Sequence, residues 1–235
     1  MNIYLESFST AFSLLVNFDK DLFEIFILSM QVTLTSLLIS CTIGLPLGAF
    51  LAIQRFFGRP LFISIINSLM SLPPVVVGLL VYINLSRSGP LGWMGLLYTP
   101  TAMIVAQILL ILPIIAGLTY QIIEDKHEYY NDLFKSLVTP KPYAISAYIL
   151  DARFSLLTVV LAGLARGISE VGAVIIVGGN IDHITRVMTS TIALETSKGE
   201  LSLALALGFI LMVIAILINF IATWLKQIGK KRNYE

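Results

Sequence analysis

The most restrictive feature of this chain is its succession of apolar runs of about 20 residues or more, separated by short polar breaks. That length matches the ~30 Å hydrocarbon core of a bilayer. Inside such a core a helix satisfies its own backbone donors and acceptors, whereas an open strand does not. Charge is correspondingly scarce. Of 235 residues 57% are hydrophobic and 12% charged, with a mean hydropathy of +0.90, whereas a soluble domain carries about 25% charged residues. The pattern predicts an all-α integral membrane protein.

Taken in order, residues 1–21 are mildly apolar and interrupted by serines, which predicts a short interfacial segment. The first span is expected from Leu22 to Ile53, with Pro46 bending it and Gly44 and Gly48 forming a small face for close packing. After the turn QRFFGRP, a second span from Leu61 to Leu85 contains Pro73 and Pro74, a pair that breaks a helical hydrogen-bond ladder. A glycine-rich loop at Ser86 to Tyr98 places Trp93 and Tyr98 at an interface. The third span, Pro100 to Tyr120, is kinked by Pro113. A fourth is expected from Arg153 to Val177, a loop from Gly178 to Leu201, and a fifth span from Ser202 to Leu225. The five spans form a single domain over residues 22–226, followed by a basic tail at 227–235. Met1 to Phe18 lacks the basic n-region of a cleavable signal, so the first apolar run is expected to serve as its own insertion signal.

Lysine and arginine placement gives an orientation. Five spans put Arg55, Arg59, Lys126, Lys135, Lys141, Arg153, Lys226, Lys230, Lys231 and Arg232 on one side. Lys20, Arg87, Arg186 and Lys198 fall on the other. The richer side is expected in the cytoplasm, with the N-terminus outside, the C-terminus inside, and residues 121–152 cytoplasmic.

Nothing in the chain points to catalysis or a resident cofactor. His127 and His183 lack metal-ligand spacing, so no metal site is expected, and Cys41 is the lone cysteine. Gly178–Asn180 lacks the lysine of a phosphate loop. A net charge of +1 argues against a nucleic-acid partner. Two polar features stand out instead. EDKHEYYNDLFKSL reads as a short helix with Leu133, Phe134 and Leu137 as an apolar patch, stopped by TPKP. It is either a docking helix for a soluble partner or a solvated loop. Arg166 and Glu170, spaced i, i+4 within the fourth span, fall on one helix face. Charges at that depth are disfavoured by about 2.5–3.5 kcal/mol each and face partners or paths. The pair is a candidate gate, or an ion pair that packs the bundle.

Four pieces of sequence resemble the permease subunits of ABC importers for oxyanions, the molybdate, sulfate and tungstate group, and most of all the tungstate permeases. They are SLPPVVVGLLVYINLSRSGPLG at 71–92, the polar segment at 131–151, ARGISEVGAVIIVGGNI at 165–181 and TRVMTSTIALETSKGE at 185–200. The resemblance implies a type I permease fold acting as a multi-pass homodimer in the lipid of the cytoplasmic membrane. It further implies an ABC ATPase subunit, which would hold ATP and Mg, and an extracytoplasmic oxyanion-binding protein. The segment at 131–151 stands where the family has the loop that docks on the ATPase. The family's Glu-Ala-Ala falls here at Asn131, Asp132 and Leu133, and its glycine at Leu137 and Val138. The helix core with a Gly-Glu-Phe-Gly-like signature becomes Ser169-Glu170-Val171-Gly172. A molybdate or sulfate permease of the same architecture is the near alternative. An ion-coupled secondary carrier is the more distant one, with Glu170 as its coupling carboxylate; an intramembrane enzyme would need paired catalytic groups that the spans lack.

Overall fold

The structure, a computed structural model, describes residues 3–16 and 20–231. In chain order it contains α1 (Ile3–Val16), α2 (Lys20–Ile53), α3 (Arg59–Met70), α4 (Pro74–Leu85), a 3-10 turn (Gly92–Met94), α5 (Pro100–Ser136), α6 (Lys141–Ile168), α7 (Gly172–Gly178), α8 (Met188–Lys198) and α9 (Leu201–Lys231). No strand occurs among the described residues. Helices α2, α5, α6 and α9 are each long and apolar enough to cross a membrane; α3 and α4 add a fifth span only as one bent pair, turned by 101°. The 14 residues of α1 make about 21 Å of helix, short of the ~30 Å core. Residues 232–235 of the expected basic tail lie outside the described residues.

Helices α2 and α5 form the centre, and small residues set how closely they approach. A Cβ on Gly48 would lie 2.7 Å from Thr119 Cβ and 2.9 Å from the Tyr120 nitrogen; one on Gly44 would lie 2.9 Å from Ile115 Cγ2. Around this pair, Met103 and Ala106 of α5 pack with Val77 and Val81 of α4 and with Ala173 and Val177 of α7. On another side Ile111 and Ile115 meet Val159 and Leu164 of α6. Helices α1, α8 and α9 join through Ala11, Met188, Leu207 and Ile210.

The bundle end that carries residues 54–58 is held by Arg59. Its Nε donates to the Leu51 carbonyl at 2.7 Å, its guanidinium pairs with Glu124 of α5, and it lies 5.5 Å from the centre of the Tyr120 ring. One side chain thus satisfies a carbonyl in the last turn of α2 and fixes the start of α3 against α5. Lys126 and Asp151, 2.7 Å apart, tie α5 to α6.

Several expected extents are corrected. The segment EDKHEYYNDLFKSL is not a separate short helix but the last turns of α5, which continues through it to Ser136. No glycine or proline interrupts residues 118–136, and Ile123 stays fully buried, so the apolar face simply persists past the membrane run. The fourth span is not one helix. It stops at Ile168 and restarts at Gly172, because Gly167, Ser169 and Gly172 are poor helix formers and side chains from elsewhere take up the freed carbonyls. The region expected as a loop at 178–201 holds α8. Helical structure runs on through Pro46 and Pro113, whereas Pro73 and Pro74 mark the 101° turn.

The packing of α2 on α5 predicts that Gly48→Ala destabilises the protein by about 1–3 kcal/mol through overpacking. Gly208→Ala, where a Cβ meets nothing within 4 Å, is expected to be neutral or mildly stabilising. Thermal unfolding of the detergent-purified variants measures both, and equal melting temperatures would contradict the close approach.

Candidate functional site

Two helix interruptions lie against each other. At the first, Ser71 closes α3, and Pro74 opens α4 at the position where a missing N–H costs nothing. The Ser71 and Leu72 N–H groups bond back to Ser68 and Leu69, both at 3.2 Å, and the Pro73 carbonyl accepts from Val76 and Val77. The second interruption is Ser169-Glu170-Val171 between α6 and α7. Gly172 and Gly78 bring the two together: a Cβ on Gly172 would lie 2.9 Å from Val75 Cγ2, and one on Gly78 would lie 2.7 Å from Ala173 Cα. Interrupted backbone in a membrane bundle persists where protein or a water-filled cavity satisfies it.

At the second interruption that satisfaction comes from three side chains. Glu170, 4% exposed, accepts the Ala173 N–H at 3.1 Å on Oε1 and so caps the first turn of α7. Its own carbonyl accepts the Thr189 hydroxyl of α8 at 2.9 Å. Gln107 of α5 donates its amide to the Gly167 carbonyl at 3.2 Å. Arg166 reaches Glu170 Oε2 at 3.6 Å, with 32% of the Arg166 side chain exposed against 3% for the glutamate. The two charges expected on one helix face therefore meet across a helix end, and the arginine is the more accessible partner. Gln107, Glu170, Gly167 and Thr189 also line a cavity of about 20 Å³, space for about one water molecule. Gln107 Oε1 is buried there with no partner among the described residues.

The other predicted constellation sits at the far end of α5 and α6. Leu133 and Leu137 are exposed and Val138 is 85% exposed, forming an apolar tip. Phe134 departs from that patch. It turns inward, its ring centre 5.4 Å from that of Tyr148, while Tyr148 meets His127 Nδ1 at 3.2 Å. Asp132 is exposed and 3.7 Å from Lys135. Asn131, Gln54, His127, Phe134 and Tyr148 line a groove of about 510 Å³ beside the tip.

The helix ends at this tip with a Schellman motif: Thr139 N–H bonds to the Phe134 carbonyl at 3.0 Å and Val138 N–H to that of Lys135 at 3.1 Å. The residue between helix and turn adopts a left-handed conformation there, usually as glycine. Val138 adopts it with φ of 49°, a strained state for a β-branched residue. The glycine expected from the resemblance is thus absent in sequence, and Val138 takes up the left-handed conformation that costs a glycine least.

At the opposite end, residues 179–187 form a tight turn. Thr185 donates to the Gly178 carbonyl at 2.6 Å, and Ser190 donates to Asn180 Oδ1 at 2.8 Å. Met188 N–H reaches Ser29 of α2 at 2.8 Å. Arg186 has an acidic partner within its own chain, Asp182 at 2.6 Å. His183 lies 2.9 Å from Glu24, and that carboxylate, with Asp182, pushes the imidazole pKa above its ordinary value.

Of the predicted residues, the fold brings Arg166, Glu170 and Gly172 together with Pro73–Pro74, and keeps the 131–138 set apart at the other end of α5. Gln107 and Thr189 were not among the predicted site residues. A carboxamide inside the run VAQILLIL is the signal for Gln107, since a polar residue at that depth needs a partner.

A helical bundle with several membrane-length helices, and broken backbone held inside it by buried polar side chains, defines a multi-span helical membrane protein. The chain belongs to the binding-protein-dependent transport system inner membrane component family, whose model matches residues 44–231. It is 43% identical over 227 residues to the tungstate uptake system permease protein of Peptoclostridium acidaminophilum, covering 97% of this chain and 100% of that one. The tungstate uptake system permease protein of Campylobacter jejuni is 40% identical over 163 residues, covering 69% and 68%. A probable anion ABC transporter permease protein of Haloferax volcanii is 35% identical over 211 residues, covering 87% and 90%. The chain is accordingly an ABC importer permease subunit rather than an enzyme, and its family works with an ATPase and a substrate-binding protein.

The cap geometry predicts an order of stability. Glu170→Ala removes the cap on α7 and strands Arg166, and is expected to cost about 1.5–3 kcal/mol, the range for hydrogen bonds to charged groups. Glu170→Gln keeps an acceptor for the Ala173 N–H and should fall between the alanine variant and the parent. Thermal unfolding in detergent checks the order; an alanine variant as stable as the parent would contradict it.

Proposed function

We propose that this chain is the membrane-spanning subunit of an ATP-driven importer of tungstate, working as a homodimer in the cytoplasmic membrane. The observation that carries the reading is 43% identity along the full length of a tungstate permease. In this reading the end bearing residues 54–58 and 137–140 faces the cytoplasm, in keeping with the lysine and arginine excess there. An ABC ATPase, holding ATP and Mg, docks on the tip formed by Leu133, Leu137 and Val138, with Asn131 and Phe134 lining the groove beside it and Asp132 exposed next to it. An extracytoplasmic binding protein delivers the oxyanion at the end formed by residues 86–98 and 179–187.

The Arg166–Glu170 pair with Gly172 serves as the gate element. The glutamate alone would repel a dianion, but the arginine neutralises it and stands on the accessible side. Motion of the ATPase displaces the end of α5 and the start of α6, both of which lead to the interruption at 169–171. The path opens between the two copies, and Glu170 holds or releases α7 as it does so.

The test is a complex reconstituted from the tagged chain, its ATPase and the binding protein. Tungstate is expected to stimulate ATP hydrolysis more than molybdate or sulfate at equal concentration. Leu137→Glu combined with Val138→Glu should weaken ATPase retention at least tenfold, because burying an apolar side chain is worth about 1.5–3 kcal/mol and 1.4 kcal/mol is tenfold in affinity. Unchanged retention by a folded variant would refute the docking tip, and stronger stimulation by sulfate or molybdate would refute the substrate.

A further inference from the structure

Helix α3 has no buried residue, yet its sequence RPLFISIINSLM is not uniformly apolar. Its side chains divide into three faces. Ile66 and Met70 pack toward α5: a Cβ on Gly117 would lie 3.4 Å from Ile66 Cγ2 and 2.6 Å from Met70 Sδ. Phe62, Ile65 and Leu69 are exposed and spaced i, i+3, i+7, as a lipid-facing stripe should be. Ser64, Asn67, Ser68 and Ser71 are also exposed, and at about 100° per residue they centre roughly 140° away from the lipid-facing stripe. Three of them line an open groove of about 640 Å³ together with Arg59 and Tyr120.

The depth of this face makes it unusual. Asn67 Oδ1 would be 3.6 Å from a Cβ on Gly117, which places it about 10 Å along α5 from Glu124 toward the apolar interior. Two other exposed asparagines on helices, Asn84 and Asn219, donate back to the carbonyls four residues before them at 2.8 and 2.9 Å. Asn67 makes no hydrogen bond among the described residues. A free carboxamide left facing hydrocarbon would be costly, which argues for a polar neighbour on the open side of this groove.

We propose that the Ser64–Asn67–Ser68–Ser71 face of α3 lines the path of the oxyanion, closed on its open side by a second copy of the chain. This rests on the two-copy importer reading and assigns it a conducting surface. A tetrahedral oxyanion dianion offers acceptors only. The Asn67 carboxamide and the Ser64 and Ser71 hydroxyls therefore suit it, the Ser68 hydroxyl being already donated to the Ser64 carbonyl at 2.8 Å, and exposed carboxylates do not. Glu124, the carboxylate near the groove's end, is already paired with Arg59. Neutral donors also hold the anion weakly enough to pass it on, a condition that conduction imposes on any site along a path.

The single cysteine makes the test practicable. In a Cys41→Ser background, Ser64→Cys, Asn67→Cys and Ser68→Cys are compared with Phe62→Cys, Ile65→Cys and Leu69→Cys in the assembled complex in proteoliposomes. The first set is expected to react at least tenfold faster with a charged, water-soluble methanethiosulfonate, and more slowly when tungstate is present during turnover. Asn67→Asp should cut transport tenfold or more, while Asn67→Ala costs a few-fold. Equal reaction rates for the two sets, with ATPase coupling intact, would overturn the conducting face and leave the proposed function standing. Fast labelling of the polar set, slowed by molybdate or sulfate and not by tungstate, would uphold the face and overturn the tungstate assignment.

Discussion

The constraint on which this structure depends is that backbone groups released inside a bilayer have no water to turn to. The chain interrupts helices at 71–73 and at 169–171 and then supplies partners for what it has broken. Glu170 caps Ala173, Gln107 takes the Gly167 carbonyl and Thr189 takes that of Glu170. Removing N–H groups by proline handles part of the other break. Gly78 and Gly172 then let the two interruptions approach so closely that neither has room for a Cβ without displacement. A charge pair at this depth is a consequence of that arrangement. Glu170 is needed as an acceptor at a helix start, and Arg166 makes its charge tolerable.

The hairpin of α5 and α6 connects the apolar tip with the helix interruption. Helix α5 has 37 residues, about 55 Å, and carries Gln107 at one end of its course and Leu133 at the other. Helix α6 starts beside the apolar tip proposed to dock the ATPase and ends at the interruption. In the proposed cycle a displacement at the tip reaches the interruption through two continuous helices, with no intervening loop to absorb it. The left-handed conformation at Val138 fits this picture, because it fixes the turn between the two helices tightly even at the expense of backbone strain.

Much of this was legible in the sequence, for identifiable reasons. Span existence follows from apolar length, and the Pro73–Pro74 break from proline's missing donor. The proximity of Arg166 and Glu170 follows from their i, i+4 spacing, yet the helix ends between them. Spacing cannot reveal that break, because Gln107 and Thr189, distant in sequence, are what make it affordable. The extension of α5 to Ser136 was hidden by the change from apolar to charged composition, which marks the edge of a membrane run and not the end of a helix. The inward turn of Phe134 was hidden for a similar reason: its aromatic partner Tyr148 lies on another helix. The unpartnered face of α3 needed the fold, since only there do Ser64, Asn67 and Ser68 separate from the surface that packs on α5.

The most direct measurement of the central claim is uptake of radiolabelled tungstate into proteoliposomes containing the chain and its ATPase, with the binding protein outside and ATP inside. The account predicts accumulation against a gradient that needs internal ATP and the binding protein and is insensitive to collapse of proton and sodium gradients. Accumulation by the chain alone, driven by an ion gradient without any ATPase, would contradict it.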